Sequence, residues 1–183
     1  MAPKPASATT FRAAASIAFG HAHILAGKWK EAADALAEAL EIARAGRANV
    51  EIEPSALTWL AAAHVGLGDL TRARIGTEEA IEVAQRRSTQ LAECIAHIGY
   101  ARVLLRGNAA KERDLISSSL HNALTLIGKT GAYSNAPFVH IELARLAAAL
   151  GDKRARRAEL STAHRLFSDM GASVRAERIA REL

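Results

Sequence analysis

One short turn keeps returning along this 183-residue chain, and it constrains the fold more than any other feature. Gly27-Lys28-Trp29-Lys30-Glu31-Ala32 recurs as Gly68-Asp69-Leu70-Thr71-Arg72-Ala73, as Arg106-Gly107-Asn108-Ala109-Ala110, and as Gly151-Asp152-Lys153-Arg154-Ala155. The glycines lie roughly 40 residues apart. Each copy separates two stretches of small and apolar residues at helical spacing. Such a recurrence marks an array of helix pairs, each burying its apolar face only against its neighbours.

Composition agrees. Half of the residues are apolar, yet only 4% are aromatic. Alanine, the best helix former, is by far the commonest residue, and β-branched residues are sparse, so the chain reads as all-α. The order is a flexible lead-in at 1–9 and a single repeat domain at 10–183. Its pairs span about 10–47, 54–87, 90–128 and 137–170, with a capping helix at 173–183. In the second helix Ala32, Ala35, Leu36, Ala39, Leu40 and Ile42 form one stripe, with Glu31, Asp34, Glu38 and Glu41 opposite. Pro54 and Pro137 each open a first helix, where a missing N–H costs nothing. In pair three, Leu91, Ile95, Ile98 and Arg102 are expected on the packing face. That pair carries extra residues near the start of its second helix, and the longest break is expected at 128–135. The last segment shows a polar outer face (Arg175, Glu177, Arg178, Arg181, Glu182), as a cap requires.

Several functions are excluded or disfavoured. The one cysteine, Cys94, permits no disulfide within the chain and fits a reducing, cytoplasmic setting, where it is expected to pack as a small hydrophobe. No apolar run reaches the length of a membrane span, and the first ten residues lack the apolar core of a signal peptide. The net charge of +5 is modest, and the late basic residues alternate with acidic ones. That pattern is a solvated, salt-bridged face and not a nucleic-acid surface. There is no phosphate-binding glycine loop, no strand-elbow serine, and no carboxylate pair set apart for acid–base work. Ser117-Ser118-Ser119 falls mid-helix as a small-residue contact. His21 and His23 diverge around a helix, and His97, His121, His140 and His164 are read as having no acidic or histidine partner one turn away. No catalytic group, metal site or cofactor is expected.

Gly20, His23, Gly27, Trp29, Ala32, Ala39 and Leu40 in pair one resemble the tetratricopeptide repeat. So do Ala61, His64, Gly68, Leu70, Ala73, Ala80 and Ile81 in pair two. The shared need is small residues where two helices cross at 8–10 Å. Pairs three and four match less well, through Gly99, Ala123 and Leu124, and through Ala144, Ala147, Gly151, Ala163 and Leu166. Histidine, arginine or alanine (His23, His64, Arg102, Ala147) replaces the usual tyrosine. The resemblance implies a right-handed α-α superhelix of about four pairs plus a cap. Three further segments resemble the C-terminal region of large multidomain bacterial regulators: 98–106, 137–152 and 163–180. In those regulators a class III adenylate or guanylate cyclase domain, or a DNA-binding domain, is joined to an ATPase module and then to such an array.

Carrying the repeat family's groove positions onto this sequence gives Ile17, His21, Ile24, Thr58, Glu93, Tyr100, Val103, Phe138, Ile141 and Arg145. The implied surface is mostly apolar, with Tyr100 and Arg145 as polar anchors for a peptide or helix. The resemblance implies a non-catalytic scaffold that binds a protein or peptide, the other domains of its own regulator, or a second copy of itself. The alternative is a small-molecule-sensing array that switches an effector domain.

Overall fold

A computed structural model describes residues 5–46 and 50–183. The described residues form nine α-helices and no strand: α1 (Pro5–Leu25), α2 (Trp29–Gly46), α3 (Ile52–Gly66), α4 (Leu70–Arg86), α5 (Gln90–Arg106), α6 (Arg113–Thr130), α7 (Ala136–Ala149), α8 (Lys153–Asp169) and α9 (Ser173–Ala180), with one 3-10 turn at Tyr133–Asn135. Helix α1 begins at Pro5, so residues 5–9 of the expected lead-in are helical. Residues 1–4 of that lead-in, and the end of the first pair at residue 47, lie outside the described residues.

The recurring turn explains why consecutive helices double back. At Gly27, Gly68 and Gly151 the backbone is left-handed, with φ of 70°, 80° and 78°. In each case the next amide reaches the carbonyl five residues back at 2.9 Å: Lys28 to His23, Asp69 to His64, Asp152 to Ala147. This closes the spent helix. The carboxylates of Asp69 and Asp152 then cap the following helix by accepting from the amides of Arg72 (2.9 Å) and Ala155 (2.8 Å). Gly107 departs from the pattern. Its φ is −85° and ψ −117°, and residues 107–112 form an irregular connection in which Asn108 accepts from the Lys111 amide at 3.0 Å. The extra length of pair three therefore sits in that connection and not in a helix. It is also longer than the expected break at 128–135, because α6 continues to Thr130 and the 3-10 turn fills much of the remainder. Three more left-handed turns follow pairs two, three and four, at Ser88 (φ 55°), Gly131 (φ 73°) and Gly171 (φ 70°), the last leading into α9.

Helices α1, α3, α5 and α7 pack along one another as one layer. Helices α2, α4 and α6 lie behind it, each wedged between its own first helix and the next. The product is a tetratricopeptide-like superhelix. Alanine at the crossings keeps the layers close: Ala32, Ala39, Ala56, Ala63, Ala73, Ala80 and Ala84 are all fully buried. Glycine permits two still closer contacts. A methyl group at Gly20 would overlap the Leu36 side chain, and one at Gly66 would overlap the Trp29 ring. Leu36 is itself fully buried, which contributes about 2 kcal/mol for a side chain of its size. Behind the layer, Glu53 is nearly buried and receives Arg44 of α2 (3.0 Å) and Arg87 at the end of α4. One carboxylate thus ties three helices.

Candidate protein-binding face

The open side of the first-helix layer is the surface on which a partner could lie. On each helix it is marked by less-buried residues three or four apart. Helix α3 shows Ser55, Trp59 and Ala62 there; α5 shows Leu91, Ile95, Arg102 and Arg106; α7 shows Phe138, Ile141, Arg145 and Ala149.

The groove positions carried over by resemblance divide into two groups. Six meet or border this face. Ile17 and Ile24 are half-buried: Ile17 packs on the core clusters that include Ala39 and Leu57, Ala13 and Ala43, and Leu36 and Ala63, and Ile24 on the last of these. His21 tilts its ring over Trp59 with centroids 4.4 Å apart. Phe138 meets Phe167 edge-on at 5.5 Å, with the Arg175 guanidinium 5.1 Å above its ring. Ile141 packs on the α7–α8–α9 core, and Arg145 points outward.

The other four sit in contacts between helices. Thr58 is buried, donates to the Pro54 carbonyl at 2.9 Å, and sets its methyl against Gly99 of α5. Glu93 accepts from Gln85 of α4 at 2.9 Å and lies 3.8 Å from the ring of His97. Tyr100 donates to Glu78 of α4 at 2.9 Å, and burial, followed by that bond to Glu78, raises its pKa. Val103 is buried with Ala61 and Ala73. On α5 the expected faces are therefore only partly kept: Ile98 is buried in the core as expected. The side that packs on α6 carries Cys94, Ala101 and Leu104, whereas Leu91, Ile95 and Arg102, expected to pack, border the open side. The physical reason is that α5 is contacted by α3, α4, α6 and α7. A helix enclosed on so many sides is apolar nearly all round and gives no preferred direction.

Two features of the face were missed. Trp59 is the ring that His21 covers, and its position between Thr58 and Ala62 would have pointed to it. The second is a mounted pair of cations. Glu142 of α7 is fully buried and accepts from Arg102 Nε of α5 at 2.7 Å, while Arg145 Nη1 reaches both its oxygens at 2.9 Å. The two arginine side chains remain 38% and 55% exposed. A buried carboxylate thus holds two guanidinium groups at the surface, with unused donors facing outward. The i,i+3 spacing of Glu142 and Arg145 was visible in the sequence; the partner from α5 was not.

The remaining titratable groups in the interior are structural. His97, expected to lack an acidic neighbour, has Glu93 one turn before it. Its Nδ1 lies 2.9 Å from Ser119 Oγ, and Ser119 donates to the His97 carbonyl at 3.1 Å, joining α5 to α6. Burial lowers the His97 pKa, and nearby Glu93 only partly opposes it. Cys94 is buried, its thiol 3.6 Å from the Ala123 carbonyl, and desolvation pushes its pKa up to about 11, so it stays a protonated core residue. No helix among the described residues is long and apolar enough to cross a membrane.

The sequence matches no protein-family model and none of the curated proteins. Among solved structures, the crystal structure of aspartyl phosphate phosphatase F from Bacillus subtilis has a similar fold, with a TM-score of 0.75 at 11% sequence identity. The match covers 98% of this chain and 45% of that one, so this chain spans a little under half of the neighbour's length. At that identity the likeness is one of fold.

Proposed function

We propose that this chain is a non-catalytic protein-interaction module whose open face takes a segment with apolar side chains followed by carboxylates. The carrying observation is the Glu142 mount, which holds Arg102 of α5 and Arg145 of α7 partly exposed. Trp59 and Ala62 of α3 and Ile95 of α5 are also only partly buried and are read as an apolar strip on the same face. Prealigned guanidinium groups bind carboxylates in two-point fashion at little entropic cost, and the strip supplies apolar contact area. With Tyr100 engaged by Glu78, Arg145 keeps its anchoring role and Arg102 replaces the tyrosine as the second anchor. In this reading the array belongs to a bacterial signalling or transcriptional regulator, as its C-terminal regulatory part, and the segment it binds comes from a partner protein or from that regulator's own domains.

Labelled peptides that join Leu/Phe residues to a Glu pair test the proposal, against the same peptides carrying a Lys pair. The acidic set should bind and quench Trp59 fluorescence. Arg145→Ala should weaken binding roughly tenfold, a loss of about 1.4 kcal/mol. That change also takes a cation from the buried Glu142 and lowers the thermal midpoint. Arg145→Lys, which keeps that cation but loses the two-point fork, should weaken binding with the midpoint better preserved. Equal binding of both sets, or none, would count against it. A metabolite that raised the melting midpoint where no peptide did would favour the sensing alternative.

A further inference from the structure

We propose that the outer face of α1 is the contact between two copies of this chain, packed antiparallel about a two-fold axis at Ala18. The face is broad and almost free of charge. Phe11, Phe19 and Leu25 are 74%, 65% and 78% exposed, and Ala14, Ala15, Ala18, Ala22 and Ala26 are exposed between them. The one charged residue at its edge, Arg12, is turned onto Glu38 of α2 at 2.9 Å. The half-buried side of the helix is already occupied by α2 and α3.

The area suffices for a dimer. With about 200 Å² for each large side chain, the three exposed ones present about 400 Å², and the alanines raise this to about 600 Å² per copy. Two copies would bury about 1,200 Å², the lower end of a standard specific interface. The spacing is also self-complementary. Phe11 and Leu25 lie seven residues on either side of Ala18, and Ala14 and Ala22 lie four on either side. A two-fold axis at Ala18 sets Phe11 of one copy over Leu25 of its partner, twice, as an isologous contact demands. Alanines along the crossing let the two helices approach to about 8 Å, so the large side chains at the ends interlock. The far end of the array cannot serve as the partner. The outer face of α9 exposes Arg175, Glu177, Arg178 and Arg181, which would be stripped of water against an apolar helix. Pairing is therefore head to head and closed at two.

Sedimentation equilibrium of the whole chain tests this, with a mass of twice 19.4 kDa expected. Ala18→Glu adds a good helix former at an exposed site and should weaken dimerisation roughly 100-fold with the helical circular dichroism unchanged. Ala18→Cys should cross-link to itself under mild oxidation, with Cys94 buried and out of reach. Phe11→Cys should not, because its symmetry mates would stand about 20 Å apart along the axis, but it should cross-link to Leu25→Cys when the two variants are mixed. A monomer throughout the high-micromolar range would overturn the proposal. So would a dimer that Ala18→Glu leaves intact, or one in which Phe11→Cys links to itself.

Discussion

The two ends of the array solve the same problem in opposite ways. At the C-terminal end, the apolar side of the last pair is covered. Helix α9 lays Ala176 and Ile179 on Leu160, Ala163 and Phe167, Arg175 spans the Phe138–Phe167 pair, and the outer side of α9 is charged. At the N-terminal end nothing comparable among the described residues covers α1, whose Phe11, Phe19 and Leu25 are exposed. The interiors differ as well. The N-terminal pairs pack glycine against a bulky partner, Gly20 on Leu36 and Gly66 on Trp29, whereas the last pair packs aromatic on aromatic. Aromatic content in a repeat array thus has two distinct meanings. Inside it is packing; on an end face it marks a surface whose partner is another molecule or another segment.

The largest expected effect contrasts the two ends directly. Phe167→Ala removes a buried ring from the α7–α8–α9 core and should cost about 3–5 kcal/mol in urea unfolding. Phe11→Ala removes an exposed one, and at concentrations where the chain is monomeric it should change stability by less than about 0.5 kcal/mol. Equal losses would mean that α1 is buried in the monomer and that the contrast fails.

Next in size are the glycine contacts. Gly66→Ala should cost about 1–3 kcal/mol, since the new methyl displaces the Trp29 ring. The Gly66→Ala, Trp29→Ala double variant should lose less than the sum of the two single changes. Strict additivity would show that the overlap is relieved elsewhere.

Acid should weaken the middle of the array. Burial lowers the pKa of both His97 and His64 below the ordinary 6.5, and the buried Nδ1 of His64 has no hydrogen-bond partner among the described residues. Between the lowered values and 6.5 the unfolded chain binds more protons than the folded one, so the stability is fully present above about pH 6.5 and is lost as the pH falls through that window. Thermal midpoints taken at about pH 7.5 and about pH 5.5 should therefore drop, and His97→Gln should reduce the drop. An unchanged slope in that variant would remove His97 from the account.

The smallest change is a gain. Ser88 holds φ at 55° in a turn where the related positions carry glycine. Ser88→Gly should therefore add about 0.5–1 kcal/mol, net of the extra freedom it gives the unfolded chain. A loss would show that the serine side chain contributes something the backbone geometry does not reveal.

Much of the fold was legible because its signals are local. Alanine content and the three glycine turns at Gly27, Gly68 and Gly151 are short-range facts, and short-range facts decide a helix and its reversal. Gly107 shows the limit: the same residue at a similar interval adopts an ordinary φ, because the turn is set by the hydrogen bonds around it and not by glycine alone. Ser88 shows the converse, a left-handed turn with no glycine to announce it. The candidate face was less legible. On α7, Phe138 and Ile141 are partly exposed while packing on the α7–α8–α9 core, and Arg145 is exposed, so a helix flanked on fewer sides leaves these positions at the surface. On α5, surrounded by four helices, Glu93, Tyr100 and Val103 point into contacts that only the stacking of α3, α4 and α6 defines. The joining of Arg102 to Glu142 across 40 residues depends on that same stacking.

Because each helix touches only its near neighbours, the array has no single lock that holds every part at once. Its amides should exchange with solvent in a graded order, slowest in α3 to α5, which are held from both sides, and faster at the two ends, in α1 and α9, which are held from one. If two copies meet through α1, that order becomes a function of concentration: dilution would release the first helix long before the rest of the molecule registered a change.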